Sequence, residues 1–162
     1  MRKLEYYEMT TLQVRTGIKK ALLGSLEVLG YARDILERGG NSGLALELYI
    51  SAIEEYGKSE LLRECLLNDS KICHVPKTIF DNKNFTRKFE KYLSKTPDET
   101  REIFSAEILS NFQTTTGRFS LDWDEEKEKW RTPPKVESDV LSKSISAFEK
   151  HISAKIDSEY GT

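Results

Sequence analysis

The sequence predicts an all-α protein, an up-and-down bundle of about five helices with a short irregular or extended segment before the last helix. Three observations carry this expectation. Apolar residues recur at helical spacing through long stretches near both ends and in the middle of the chain. The punctuation between those stretches is made of helix caps and helix stops. The composition, 38% hydrophobic and 32% charged with nine Gly and four Pro in 162 residues, suits one folded domain over 1–162 and is too poor in Gly and Pro for a linker chain.

The first helix is expected over 9–38. Ile18, Leu22, Ser25, Leu29, Ala32 and Leu36 alternate spacings of four and three, which marks one helical face. Val14, Ala21, Val28 and Ile35 form a parallel stripe that either widens the buried face or serves a second subunit. Thr10-Thr11-Leu12-Gln13 reads as a capping box, with Met9 and Val14 placed as a hydrophobic staple. Gly39-Gly40-Asn41-Ser42-Gly43 then stops the helix and offers a cap to the next.

The central helix is expected over 44–67. Leu46, Ile50, Ile53 and Leu61 make one apolar row, and Leu48, Ala52, Leu62 and Leu66 another. A helix apolar over so wide an arc belongs at the centre of a bundle. Gly57 lowers its helix propensity by up to about 1 kcal/mol relative to Ala, so close helix packing is the use expected of it.

A loop is expected over 68–82, punctuated by Pro76. A basic helix over 83–94 follows, with Phe85, Phe89, Tyr92 and Leu93 inward. Thr96-Pro97-Asp98-Glu99 reads as a cap followed by Pro at the first helical position, opening a helix over 97–113. The irregular segment covers 117–136, where Phe119 to Asp124 alternates apolar with polar residues. Trp123 and Trp130 within it either stack on a ligand or lock the segment onto the bundle, and the second role is the commoner for such residues. The last helix, over 138–158, has Leu141, Ile145, Phe148, Ile152 and Ile156 on one face.

Charge and cysteine content bound the function. Lys and Arg number 25 against 27 Asp and Glu, a net charge of −2, which argues against a general polyanion binder and leaves room for a local basic face. Two cysteines, Cys65 and Cys73, make no disulfide framework. With His74 and the distant His151 they fit no zinc template, so no metal and no cofactor is expected. The beginning of the chain has no apolar signal core, and no apolar run reaches the length of about 18–20 residues that spans a bilayer. A cytoplasmic protein with no membrane contact is the expectation.

Two clusters carry candidate chemistry. Glu54, Glu55 and Lys58 interrupt the apolar central helix at spacings that let either carboxylate reach the lysine. They read either as a solvated ion pair or as charges held in a groove between helices. Lys83, Arg87, Lys91 and Lys95 repeat every four residues, with Lys88 alongside, Lys77 upstream and Glu90 the local counter-charge. Like charges on one helical face repel unless solvent, an acidic neighbour or an anion such as an RNA backbone meets them. The familiar phosphate-loop, metalloprotease and hydrolase signatures are absent from the sequence.

These blocks, in this order, resemble the AbiV abortive-infection family. Leu44 to Leu62, LALELYISAIEEYGKSELL, is similar to that family's central helix with its Glu-Glu-x-Gly-Lys block, here Glu54, Glu55, Gly57 and Lys58. Phe85 to Lys91, FTRKFEK, resembles its His-Lys-Glu-Lys segment, with Glu90 and Lys91 the matching pair. Gly117 to Asp124, followed by Trp130 and Pro133, is similar to its Tyr-Val-Asp-x-Asp…Trp…Pro stretch, with Phe119 where the Tyr is expected. The match covers roughly Ile18 to Ile152.

The resemblance implies a HEPN-like bundle, a homodimer, and a role in phage defence. In related metal-independent ribonucleases an Arg-x(4–6)-His motif supplies the catalytic His. Lys88 stands at the matching position here. A lysine near its usual pKa of about 10.4 is charged at neutral pH and is a poor general base. The preferred expectation is therefore action through a phage- or host-encoded protein partner, with contact to RNA or the translation machinery. Glu54, Glu55 and Lys58 would orient a groove, while Lys83, Arg87, Lys88, Lys91 and Lys95 would meet an anionic surface. The alternative is a metal-independent endoribonuclease whose catalytic candidates are Glu54, Glu55, Lys58, Arg87 and Lys88, with His74 or Glu54 replacing the absent base. A third expectation is an adaptor bundle with no catalysis.

Overall fold

The computed structural model describes residues 5–66, 71–81, 85–104, 122–126, 128–131 and 136–160. Within them the chain runs β1 (Tyr6–Thr10), α1 (Thr11–Glu37), α2 (Ser42–Glu64), β2 (Ile72–Pro76), a 3₁₀ turn (Lys77–Ile79), α3 (Phe85–Leu93), α4 (Asp98–Arg101), β3 (Asp122–Asp124), β4 (Lys129–Arg131) and α5 (Ser138–Tyr160). The architecture is predominantly helical, with two small antiparallel ribbons, β1–β2 and β3–β4.

Local signals set the α1–α2 hairpin. The Thr10 hydroxyl accepts from the Gln13 N–H at 3.1 Å, and Gln13 Oε1 accepts from the Thr10 N–H at 2.9 Å, closing the expected capping box. At the other end Gly39 takes φ +69°, Gly39 N–H donates to Leu36 and Gly40 N–H to Ile35. That is the Schellman stop, in which a glycine supplies the left-handed residue. Asn41 then caps α2 through its side-chain oxygen, which accepts from Gly43 and Leu44.

α2 packs against α1, α3 and α5, which is why it is apolar on several sides. Ile18, Leu22, Leu29 and Ala32 of α1 meet Leu46, Ile50 and Ile53 of α2 in one core, joined by Leu141, Ile145, Phe148 and Ile152 of α5. The second stripe of α1 is used within the same subunit: Val14 and Ala21 are buried, and Val28 and Ile35 pack against the core. Two polar contacts tie the core elements together. Ser25 Oγ donates to the Ala52 carbonyl at 2.7 Å, and Tyr49 Oη lies 2.6 Å from Ser144 Oγ.

Gly57 serves close packing. A Cβ added there would lie 2.4 Å from Cγ and Cδ1 of Tyr92 and 2.5 Å from its Cβ. The missing side chain lets α3 lie directly on α2, with Phe89, Tyr92 and Leu93 facing inward and buried.

Three expectations are corrected. Part of the loop expected over 68–82 is a strand: Ile72–Pro76 pairs antiparallel with Tyr6–Thr10, in register from Tyr6 opposite Pro76 to Thr10 opposite Ile72. Cys73 and Val75 turn inward while Ile72 and His74 are exposed, so alternation buries one face of a ribbon laid on the bundle. Pro76 ends the strand, where its missing N–H costs no ladder bond.

Among the described residues of the helix expected over 97–113, Asp98 to Arg101 are helical and Glu102 and Ile103 form a turn. The cause is Phe104, which leaves the helical path to stack on Tyr49 (5.9 Å, 20°) and meet Phe89 edge-on (5.4 Å, 66°). The rest of that expected helix, 105–113, lies outside the described residues.

Thr96 is not the cap of this turn. Its hydroxyl donates to the Leu93 carbonyl at 2.6 Å, and Pro97 occupies the cap position. Arg101 closes the corner by donating to the carbonyls of Thr96 (3.0 Å) and Ser94 (3.2 Å).

Within the expected irregular segment, Asp122–Asp124 and Lys129–Arg131 form a short ribbon that sets Trp123 opposite Trp130 in register. Residues 117–121, 127 and 132–135 of that segment lie outside the described residues, as does the expected packing of the two indoles. Among the described residues no helix is long and apolar enough to cross a membrane.

Candidate anion-binding cleft

α3 positions the cationic side chains. Its inward face is fixed by Phe89, Tyr92 and Leu93, so Arg87, Lys88 and Lys91, one or two positions away from them, are turned off that face toward the surface. Lys88 and Lys91 line a cleft of about 360 Å³ between α3, the end of α2 and the β2–3₁₀ segment. His74 and Pro76 of β2 and Thr78 of the 3₁₀ turn line it too, Leu61, Cys65, Ile79 and Tyr92 contribute the apolar part, and Glu64 at the end of α2 places one carboxylate in the lining.

The stripe is not uniformly free. Lys88 Nζ donates to the Asp81 carbonyl at 2.7 Å and pairs with the Asp81 carboxylate. Lys95 pairs with Glu64 at 2.7 Å. Arg87 and Lys91 are exposed and have no ion pair among the described residues. Lys83 lies outside the described residues. Beneath the cations, burial and then the carboxylates of Glu54, Asp81 and Glu55 push the Tyr92 hydroxyl up to about 12. Tyr92 therefore stays protonated at physiological pH and brings no charge to the cleft.

Glu55 and Lys58 close the shorter of the two spacings, Nζ to Oε1 at 3.0 Å. They face a different cleft, of about 320 Å³, walled by Met9, Gln13, Val14, Gly17 and Phe80. Lys20 lies on the same rim. The two sequence clusters thus serve separate clefts, and Glu54 lines neither of them.

Cys73 and His74 alternate sides of β2, the thiol buried and the imidazole exposed. Burial pushes the Cys65 thiol up, which opposes a reactive thiolate. Among the described residues no group of three His, Cys, Asp or Glu could hold a metal.

One polar network has no counterpart in the sequence reading. Tyr56 Oη lies 3.0 Å from His151 Nε2, Lys155 sits over the Tyr56 ring at 5.2 Å, and Lys155 pairs with Glu60. Glu60 also lies 3.6 Å from Arg63 Nε, and Arg63 pairs with Glu159. Its only sequence signal is the facing spacing of Tyr56, Glu60 and Arg63 on one helix and His151, Lys155 and Glu159 on another. Burial and then the Lys155 charge hold His151 below the usual histidine value. The network joins α2 to α5 away from the cationic cleft, so it supports the fold.

No protein-family model matches the chain, and no curated protein or solved structure matches it either.

Proposed function

We propose that the chain is a phage-defence protein of AbiV type, with a HEPN-like bundle, that acts in the cytoplasm by binding an anionic partner at the α3 cleft. The observation that carries the binding step is the convergence of Lys88 and Lys91 on one cleft, with Arg87 exposed on the same helix. Cations gathered on a rigid helix repel one another, and an anionic surface relieves that repulsion. The Glu54, Glu55, Gly57 and Lys58 block supports the family reading, and here Gly57 sets the seat of α3 while Lys58 and Glu55 form the second cleft. A homodimer belongs to the same reading, and sedimentation of the purified chain tests it.

The decisive experiment is phage plating on cells expressing the chain. Wild type should lower plaque formation, and the Arg87→Ala/Lys91→Ala variant should lose that protection while its circular dichroism is unchanged. Both side chains are exposed, so the fold should tolerate the change. Full protection by the double variant, or none by wild type, overturns the proposal.

A second reading, metal-independent RNA cleavage, is favoured by one placement. The His74 imidazole shares the cleft with Lys88 and Lys91, which would stabilise charge developing on a phosphate. It predicts RNA cleavage in the presence of chelator that disappears in His74→Ala. Cleavage that survives this substitution removes His74 from the chemistry.

A further inference from the structure

The outward face of the β1–β2 ribbon borders the cationic cleft. Register and strand alternation place Tyr6, Glu8 and Thr10 on the same face as Ile72, His74 and Pro76. On the opposite face Cys73 and Val75 are buried and Met9 packs on the core, while Tyr7 stays exposed against Phe80. Tyr6 is 48% exposed, and its ring meets the exposed His74 ring edge-on, centroids 6.5 Å apart at 82°. His74 in turn lines the cleft that holds Lys88 and Lys91.

We propose that Tyr6 and His74 form a nucleobase-stacking platform, working with Lys88 and Lys91 so that the cleft takes a single-stranded polynucleotide. The proposal rests on the anionic-partner reading above and names the class of that partner. Single exposed aromatics are ordinary on protein surfaces. The informative feature is a pair of exposed rings on a strand ribbon beside a cleft with cations. Single-strand sites combine those two parts: cations follow the backbone, and each base brings a flat face that stacks on an aromatic ring.

An edge-on pair leaves ring faces open to a third plane. Glu8, directly across from His74, repels phosphate but can accept from a base amino or imino N–H. The local charge pattern therefore suits a base over the ribbon and phosphate over α3. Bases in a duplex are already stacked and paired, so a duplex offers the platform little.

The test compares three probes at low salt by fluorescence anisotropy and competition: a mixed-sequence RNA strand of about twelve nucleotides, its blunt duplex, and inorganic polyphosphate. The strand should bind more tightly than the duplex. Tyr6→Ala should weaken the strand by about tenfold and leave polyphosphate unchanged, while Tyr6→Phe keeps strand binding. Strand affinity unchanged in Tyr6→Ala overturns the platform, as does an equal loss for strand and polyphosphate. If the strand fails to bind while polyphosphate binds and is lost in Lys88→Ala/Lys91→Ala, the platform falls and the anionic-partner reading stands. If neither binds, both fall. Tighter binding of polyglutamate than of the strand overturns the platform and assigns the cleft to an acidic protein segment.

Discussion

Replacing Gly57 by Ala tests whether the seat of α3 on α2 is as tight as the geometry requires. In a solvent-exposed helix interior the change would be favourable by up to about 1 kcal/mol, because Ala restricts the unfolded chain and suits the helix. Here the new Cβ would lie 2.4 Å from two ring atoms of Tyr92 and 2.5 Å from the Tyr92 Cβ. Ring rotation cannot relieve the last contact, since that atom is fixed to the α3 backbone. Tyr92 is only 2% exposed, so α3 itself must shift. Overpacking of this kind costs about 1–3 kcal/mol, and a three-atom overlap belongs at the upper end. The net expectation is a loss of about 2 kcal/mol, read as a lower urea midpoint with unchanged slope. Gly24→Ala is the matched control: it lies within α1 with no atom within 4 Å of the added Cβ, and it should stabilise by up to about 1 kcal/mol. In a Tyr92→Ala background the two ring overlaps are gone and only the Cβ contact at 2.5 Å remains, so Gly57→Ala should cost less there than in wild type, and the difference is the coupling between the two positions. A Gly57→Ala midpoint at or above wild type, with Gly24→Ala raised as expected, would refute the reasoning.

Three further outcomes follow from the same structure. Thr10→Ala removes the hydroxyl that accepts from Gln13 and should cost about 1 kcal/mol of unfolding free energy; a loss within a few tenths would mean that β1 alone fixes the start of α1. His151 sits below its ordinary 6.5, through burial first and then Lys155, with Glu60 and Glu99 opposing. The unfolded chain therefore takes up the proton first, so this contribution is complete above about pH 6.5 and is lost as pH falls through it; His151→Gln should flatten the urea-stability profile between about pH 7.5 and 5.5, and an unchanged slope would contradict the assignment. Asp81→Asn removes the charge that neutralises Lys88 and should tighten strand binding while steepening the logarithmic salt dependence by up to about 0.7, measured by anisotropy against salt concentration; an identical slope would show that Lys88 never meets the ligand.

The helices were legible in the sequence where their determinants are local. The stripes of α1 and α5 repeat every three or four residues, and the Thr10 box and Gly39 stop lie within a few residues of the ends they set. β1 was not legible, because Tyr6–Thr10 becomes a strand only through Ile72–Pro76, on the far side of a helical hairpin. The alternation of Cys73 and Val75 with His74 was a signal, but five residues beside a proline do not separate strand from loop without the partner. Phe104 shows the opposite failure. Its spacing fits a helix, yet stacking against Tyr49 and Phe89 outweighs one more turn. The basic stripe was legible and its neutralisation was not, since Asp81 and Glu64 come from other segments.

That neutralisation decides what kind of site the cleft can be. Counted from the sequence, the stripe offers five cations. In the folded protein Lys88 and Lys95 already have carboxylates, which leaves Arg87 and Lys91 as the exposed charges on described α3. Two phosphate contacts to a single strand correspond to a logarithmic salt slope of about −1.4, and three, if Lys88 exchanges Asp81 for phosphate, to about −2.1. Electrostatics of that size gives weak and indiscriminate binding. Useful affinity then has to come from something other than charge, and the nearest candidate is the pair of exposed rings formed by Tyr6 and the cleft residue His74. Stacking on one base contributes about 1–3 kcal/mol, comparable to what the free cations supply, and it is insensitive to salt. A binding free energy that stays appreciable at high salt, and collapses only when the Tyr6 ring is removed, follows from this division between ribbon and helix.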